Sequence, residues 1–219
     1  MSDRIVQGSG FVAGTLIHTD RGLVPIQEIR VGDMILSKSE GGTGVKGYKP
    51  VTKKMVFEDE LVKAVSVYGN GKVEVFVVTD NHPFWIANSN RGYKGWTAAE
   101  LLQMNDQLEI INEDGSGTVL YTNPLLSHKK YGQAWMELDW STQTGTLIDV
   151  TKNGPVFNSS VFFGDFDNNT CGYGDDDYQR YKASVYDVEV ENCHVYYIGE
   201  IGVLVHSIDC SNNSKRRMC

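Results

Sequence analysis

Two β-prone runs, Leu61 to Tyr68 and Val73 to Val78, flank Gly69-Asn-Gly71. Glycine and asparagine tolerate the positive φ angles of tight hairpin turns, so the chain must reverse here between two paired strands. The same pattern recurs at both ends of the sequence. Thr15-Leu-Ile-His-Thr19 alternates and then turns at Asp20-Arg-Gly22. Leu23-Val-Pro-Ile26 leads to Gly32-Asp33 and the run Met34-Ile-Leu36. Val185 to Val190, Val195 to Ile198 and Val203 to Val205 supply three more short runs. With 23 glycines, 5 prolines and 11% aromatic residues, the chain is suited to many short strands joined by turns, and a mostly β fold is expected. Trp96-Thr-Ala-Ala-Glu-Leu-Leu102 reads as the one helical turn, with Thr97 as N-cap and Glu100 completing a capping box. Residues from about 120 to 183 show no period and are rich in Gly, Asn and Asp.

The 219 residues suffice for one domain, or for one domain carrying a large insertion. A net charge of −8 and a pI near 5.1 argue against nucleic acid as a partner. Lys215-Arg216-Arg217 reads as part of a solvated tail. No apolar run approaches the ~18 residues that would span a bilayer, and no signal peptide is read at the start. Cys171, Cys193, Cys210 and Cys219 have neither zinc-ligand nor disulfide-framework spacing. Asp165-x-Asp167-x-Asn169, continuing to Asp176, echoes a calcium loop, but Thr170 stands where that loop needs glycine. It reads as an acidic surface loop, and no metal or other cofactor is expected. A monomer is expected.

The candidate chemistry lies in four segments. The first is Gly10-Phe-Val-Ala-Gly-Thr-Leu-Ile-His-Thr19, followed by Pro25-Ile26, Glu28-Ile29 and Val31-Gly32-Asp33. The second, Thr79-Asp-Asn-His82, ends the apolar strand Val75 to Val78. An imidazole at such a position can deliver a proton near neutral pH. The third runs from Asp187 to His194. Their odd separation would put the two side chains on opposite faces of a straight strand, so a bend near Glu191-Asn192 is required if they serve one site. The fourth is Gly202-Val-Leu-Val-His206-Ser207. Trp85 and Phe84 read as core, and His18 and His128 as structural or surface residues.

In this order the four segments resemble the blocks of the Hint superfamily, which comprises inteins, bacterial intein-like domains and Hedgehog autoprocessing domains. The resemblance implies a compact, horseshoe-like β fold in which both chain ends meet at one cleft. It places a Hint domain at 10–207 with an insertion at about 120–183. Residues 1–9 and 208–219 become flanks that are the domain's own substrates. The implied activity is self-cleavage of peptide bonds. Thr79 and His82 would contact the Ser9–Gly10 amide, and Asp187 would couple the two cleavage steps. His194 and His206 would activate the carbonyl of the Ser207–Ile208 bond. Members carry Cys or Ser where this chain has Gly10, and Asn where it has Ser207. Glycine has no nucleophile, and serine has no amide nitrogen to form a succinimide. Ser9 is a hydroxyl one place early, but it would act on the Gly8–Ser9 bond and lie out of register. Ile208 cannot accept an acyl group, so C-terminal release is implied rather than splicing. With both positions substituted, an intact precursor is expected. The variant resembles the Hint domains of bacterial polymorphic toxins, which implies a secreted parent protein with a toxin domain following the Hint domain. The alternative is a degenerate Hint fold kept as a non-catalytic binding or spacer module.

Overall fold

The computed structural model describes residues 8–39, 44–112, 115–128, 133–139, 144–150, 154–157, 161–162 and 180–207. The acidic loop from Asp165 to Asp176, three of the four cysteines, Ile208 and the basic tail lie outside the described residues.

The first ten strands belong to one large sheet. They are β1 (Phe11–Val12), β2 (Leu16–Thr19), β3 (Gly22–Pro25), β4 (Met34–Ser37) and β5 (Gly47–Gly69). They continue with β6 (Lys72–Thr79), β7 (Pro83–Asn88), β8 (Gly95–Ala98), β9 (Gln107–Glu109) and β10 (Ser116–Pro124). A second sheet follows, made of β11 (Leu126–His128), β12 (Gln133–Asp139), β13 (Thr144–Asp149), β14 (Val156–Phe157) and β15 (Val161–Phe162). The chain then returns to the large sheet as β16 (Lys182–Val190), β17 (Val195–Ile198) and β18 (Val203–His206). The molecule is therefore mostly β, as its alternating runs predict.

β5 is the spine. It pairs in turn with β4, β16, β6 and β10, all antiparallel. A bulge between Phe57 and Glu60, with Asp59 at φ 57°, bends it so that one strand can serve four partners. The expected hairpin closes at Gly69↔Lys72, with Asn70 and Gly71 both at positive φ. The short terminal strands complete the sheet. β1 lies between β16 and β6, pairing Phe11 with both Tyr186 and Val78. β18 pairs with β17 and with β7, where Val205 meets Phe84.

Alternation along the strands divides the interior. Phe11, Val65, Val67 and Val188 face one core with Phe84, Ile86, Tyr196 and Val205. Their neighbours Val12, Val62, Ala64 and Val185 face a second core, which takes Ala134, Met136 and Ile148 from the smaller sheet. Each such buried aliphatic or aromatic side chain contributes about 1.5–3 kcal/mol. The second core thus joins the two sheets.

One local expectation fails. Residues 95–98 are strand, and only a 3-10 turn follows, Ala99–Leu101. Its N-cap is Ala98, not Thr97, and no side chain caps it. Thr97 is held extended because β8 pairs with β7, matching Thr97 to Phe84 and Trp96 to Trp85. Ladder bonds and the Trp85–Trp96 edge contact at 4.9 Å outweigh a single capping signal.

Candidate active site

The Thr79-to-His82 segment turns sharply out of β6 and into β7. The His82 backbone N–H donates to Thr79 O at 3.3 Å. Arg180 fixes the turn from outside, its two terminal nitrogens each 2.9 Å from one carboxylate oxygen of Asp80. Such a two-pronged pair sets orientation as well as distance. Nothing in the local sequence announces Arg180, which arrives from 100 residues away.

Gly10 lies directly against this turn. Its N–H donates to Thr79 Oγ1 at 3.2 Å, and its carbonyl accepts from the Thr79 N–H at 3.0 Å. His82 is completely buried. The Phe11 ring meets it edge-on at 4.4 Å and the Phe84 ring at 6.2 Å. Its Nδ1 is 2.8 Å from Ser9 Oγ, and Ser9 too is completely buried. Burial, reinforced by the nearby charge of His206, lowers the His82 pKa from 6.5 to about 3. The ring is therefore neutral at physiological pH. Ser9 thus shares a hydrogen bond with the imidazole that the motif alone would direct toward the Ser9–Gly10 amide.

Asp187 is completely buried on β16, next in sequence to Tyr186, whose backbone abuts Gly10. Its Oδ1 accepts from the Tyr196 hydroxyl at 2.7 Å and from the Val188 N–H at 2.8 Å. Burial first, and Asp187 second, push the Tyr196 hydroxyl well above its ordinary pKa. Tyr196 is a site neighbour that sequence reasoning missed, since it reads as one more apolar strand residue.

The bend required after Asp187 is present. β16 ends at Val190, and Asn192 and His194 both adopt left-handed backbone, φ 59° and 51°. Cys193 packs beside the small cluster of Val195, Tyr197 and Leu204. His194 uses its backbone and its ring differently. Its carbonyl accepts from the Ser207 N–H at 2.7 Å and from Ser207 Oγ at 3.3 Å. Its ring Nδ1 lies 3.7 Å from Glu189 Oε1. The ring stacks on His206, centroids 6.1 Å apart and planes 27° apart. His206 in turn meets Trp96 edge-on at 5.1 Å. Because a carbonyl can only accept, His206 Nδ1 must donate to Ser207 O, at 2.5 Å.

The two half-sites flank β7. His82 precedes it, and Phe84 within it pairs with Val205, the neighbour of His206. This is how a β fold brings the two ends of a chain together. His18 is outside this group: its Nε2 donates to Gly199 O at 2.7 Å and ties β2 to the β17–β18 turn. Among the described residues no cluster of His, Cys, Asp and Glu could hold a metal, and no helix is long and apolar enough to cross a membrane.

The sequence model of the pretoxin HINT domain family matches residues 16–138. The chain belongs to this family. Among solved structures, the HINT domain is similar to a bacterial intein-like domain from Clostridium thermocellum. The two are 23% identical, the match covers 92% of this chain and 99% of that one, and the TM-score is 0.53. It is also similar to the MchDnaB-1 intein, at 14% identity, over 90% of this chain and 99% of that one, with a TM-score of 0.50. At these identities the likeness shows a shared intein-type fold. No curated protein matches the HINT domain.

Proposed function

We propose that this HINT domain is a self-processing domain whose substrates are its own flanks. Its chemistry is release of whatever follows residue 207, which in the parent protein is a toxin domain. The observation that carries this reading is the hydrogen bond from His206 Nδ1 to the Ser207 carbonyl. That carbonyl belongs to the bond that release must break, and a donor on its oxygen draws electron density from the carbon under attack. The neighbouring backbone supports it, because the His194 carbonyl holds the Ser207 N–H and so fixes the residue whose carbonyl is attacked. His194 is the second activating group, and Thr79 and His82 serve the Ser9–Gly10 amide. Asp187 links the two steps.

In this chain the attacking groups at residues 10 and 207 are absent. Gly10 has no side chain, and the Ser207 hydroxyl cannot close a ring on its own carbonyl as an asparagine amide does. The Ser9–Gly10 and Ser207–Ile208 bonds therefore persist. The test is Ser207→Asn, followed by intact mass. Residues 208–219 should leave the variant and stay on the unaltered protein. A variant that keeps them while folded would overturn the reading.

One observation favours a second reading, a scaffold adapted to inactivity. A Cβ placed on Gly10 would lie against the Tyr186 carbonyl oxygen, closer than real structures allow. Gly10→Cys then fits only if the backbone shifts, and failure of that variant to cleave would support the scaffold role.

A further inference from the structure

We propose that Tyr196 is a positioning residue for self-processing: its hydroxyl sets the orientation of the Asp187 carboxyl and ties it to the strand that grips the second junction. The proposal rests on the self-processing reading and deepens it, by naming the group through which Asp187 is held.

Asp187 stands on β16 and Tyr196 on β17. No ladder joins these two strands. β16 pairs with β1 and β5, and β17 with β18 and β2. The hydroxyl bridges them instead. It donates to Asp187 Oδ1 at 2.7 Å, and both residues are completely buried. Alternation sends Tyr196 and Ile198 into the core that holds Phe11 and Phe84, while Val195 and Tyr197 face the small cluster beside Cys193. A hydroxyl in such a core must find a partner, because leaving it unbonded costs more than the bond returns. Phenylalanine would fill the same space without that demand. Packing alone therefore does not account for the hydroxyl, whereas its bond to Asp187 does.

The bond fixes more than a distance. Asp187 Oδ1 also accepts from the Val188 N–H at 2.8 Å. Donors prefer the plane of the carboxyl, so two donors on one oxygen set that plane and with it the direction of Oδ2. Burial first, and Asp187 second, keep the Tyr196 hydroxyl protonated and hence a donor. Each end of the bond leads to one junction. Asp187 follows Tyr186, whose backbone abuts Gly10. Tyr196 lies opposite Val205, the neighbour of His206. The strand that carries Tyr196 is preceded by His194, whose carbonyl accepts from the Ser207 N–H at 2.7 Å. One short segment thus grips Ser207 with its backbone and Asp187 with a side chain.

The experiment uses the Ser207→Asn chain and follows release of 208–219 by intact mass, below the onset of melting. That chain is compared with versions that add Tyr196→Phe, Asp187→Asn, or both. Tyr196→Phe should slow release roughly 10-fold or more, the scale of a buried hydrogen bond whose acceptor is left unmet. Asp187→Asn should slow it at least as much. With asparagine at 187, Tyr196→Phe should add nothing further, because the hydroxyl acts through the carboxyl. A role in packing alone would slow release equally with either residue at 187. A second measurement needs no Tyr196 variant to fold. In the chain with Ser207 in place, the Tyr196 hydroxyl proton should exchange slowly and give a resolved NMR signal that Asp187→Asn moves. A hydroxyl proton exchanging as fast as that of a surface tyrosine overturns the proposal. So does an unchanged release rate in Tyr196→Phe, or equal slowing with aspartate or asparagine at 187, and each leaves self-processing standing. No release from the folded Ser207→Asn chain overturns the self-processing reading itself, and the Tyr196 role with it.

Discussion

The two junctions are built on opposite terms. At the first, Ser9, Gly10, Thr79 and His82 are all buried, aromatic rings surround the imidazole, and each backbone group of Gly10 is bonded to Thr79. At the second, Ser207 is buried, but the His194 and His206 rings are half-exposed, stacked on one another, and edged by Glu189 and Trp96. The difference teaches what each can do. A sealed junction can rearrange its own atoms with little solvent, which suits an internal acyl shift. An open junction can exchange protons with water, which suits donation of a proton to a carbonyl. The sealed site also keeps its imidazole neutral, because burial lowers the His82 pKa.

The largest expected effect is on pH-dependent stability. His82 has a folded pKa near 3 against an ordinary 6.5. Between those values the unfolded chain binds a proton that the folded chain excludes. Stability is therefore complete above pH 6.5 and falls as the pH drops toward 3. The loss from this group is on the order of 4 kcal/mol. His18, lowered mainly by its own burial, acts in the same direction. Urea midpoints at several pH values should show the fall, and His82→Gln should flatten it. A profile unchanged by that substitution would mean the first junction is not sealed.

Next in size is the open junction. In the Ser207→Asn background, His206→Ala or His194→Ala should slow release of 208–219 by roughly 10²-fold. Rates from quenched time courses check this, and unaltered rates in both variants would remove the contrast in chemistry. The smallest effect separates the junctions by packing alone. Gly10→Ala should cost about 1–3 kcal/mol, the scale of overpacking, because its Cβ meets the Tyr186 backbone. Thermal melts measure it.

Much of the fold is legible in the sequence. Asn70-Gly71 announces its hairpin because few residues accept that backbone. The bend at Glu191-Asn192 follows from the odd spacing of Asp187 and His194, and Asn192 supplies the left-handed residue there. Thr97 misleads because a cap is a local signal and the pairing of β8 with β7 is not. The site is legible as a set of residue types and order, but not as a set of partners. Nothing local shows that His82 meets Ser9, that Tyr196 caps Asp187, or that Arg180 pins Asp80. The Ser9 and Arg180 pairings join segments distant in sequence, and Tyr196 reaches Asp187 across the turn at Asn192, so only the folded sheet brings these groups within bonding distance.

β1 is only two residues long and finds both its partners in later sequence, Val78 and Tyr186. It cannot be seated until β16 has been made. At ~5–20 residues per second, synthesis of the intervening chain takes on the order of ten seconds or more. Until then the segment around Ser9 and Gly10 can have only the β6 side of its seat, with Thr79 and His82, and lacks the β16 side. The topology therefore leaves the first half-site open on one side until nearly the whole domain has left the ribosome.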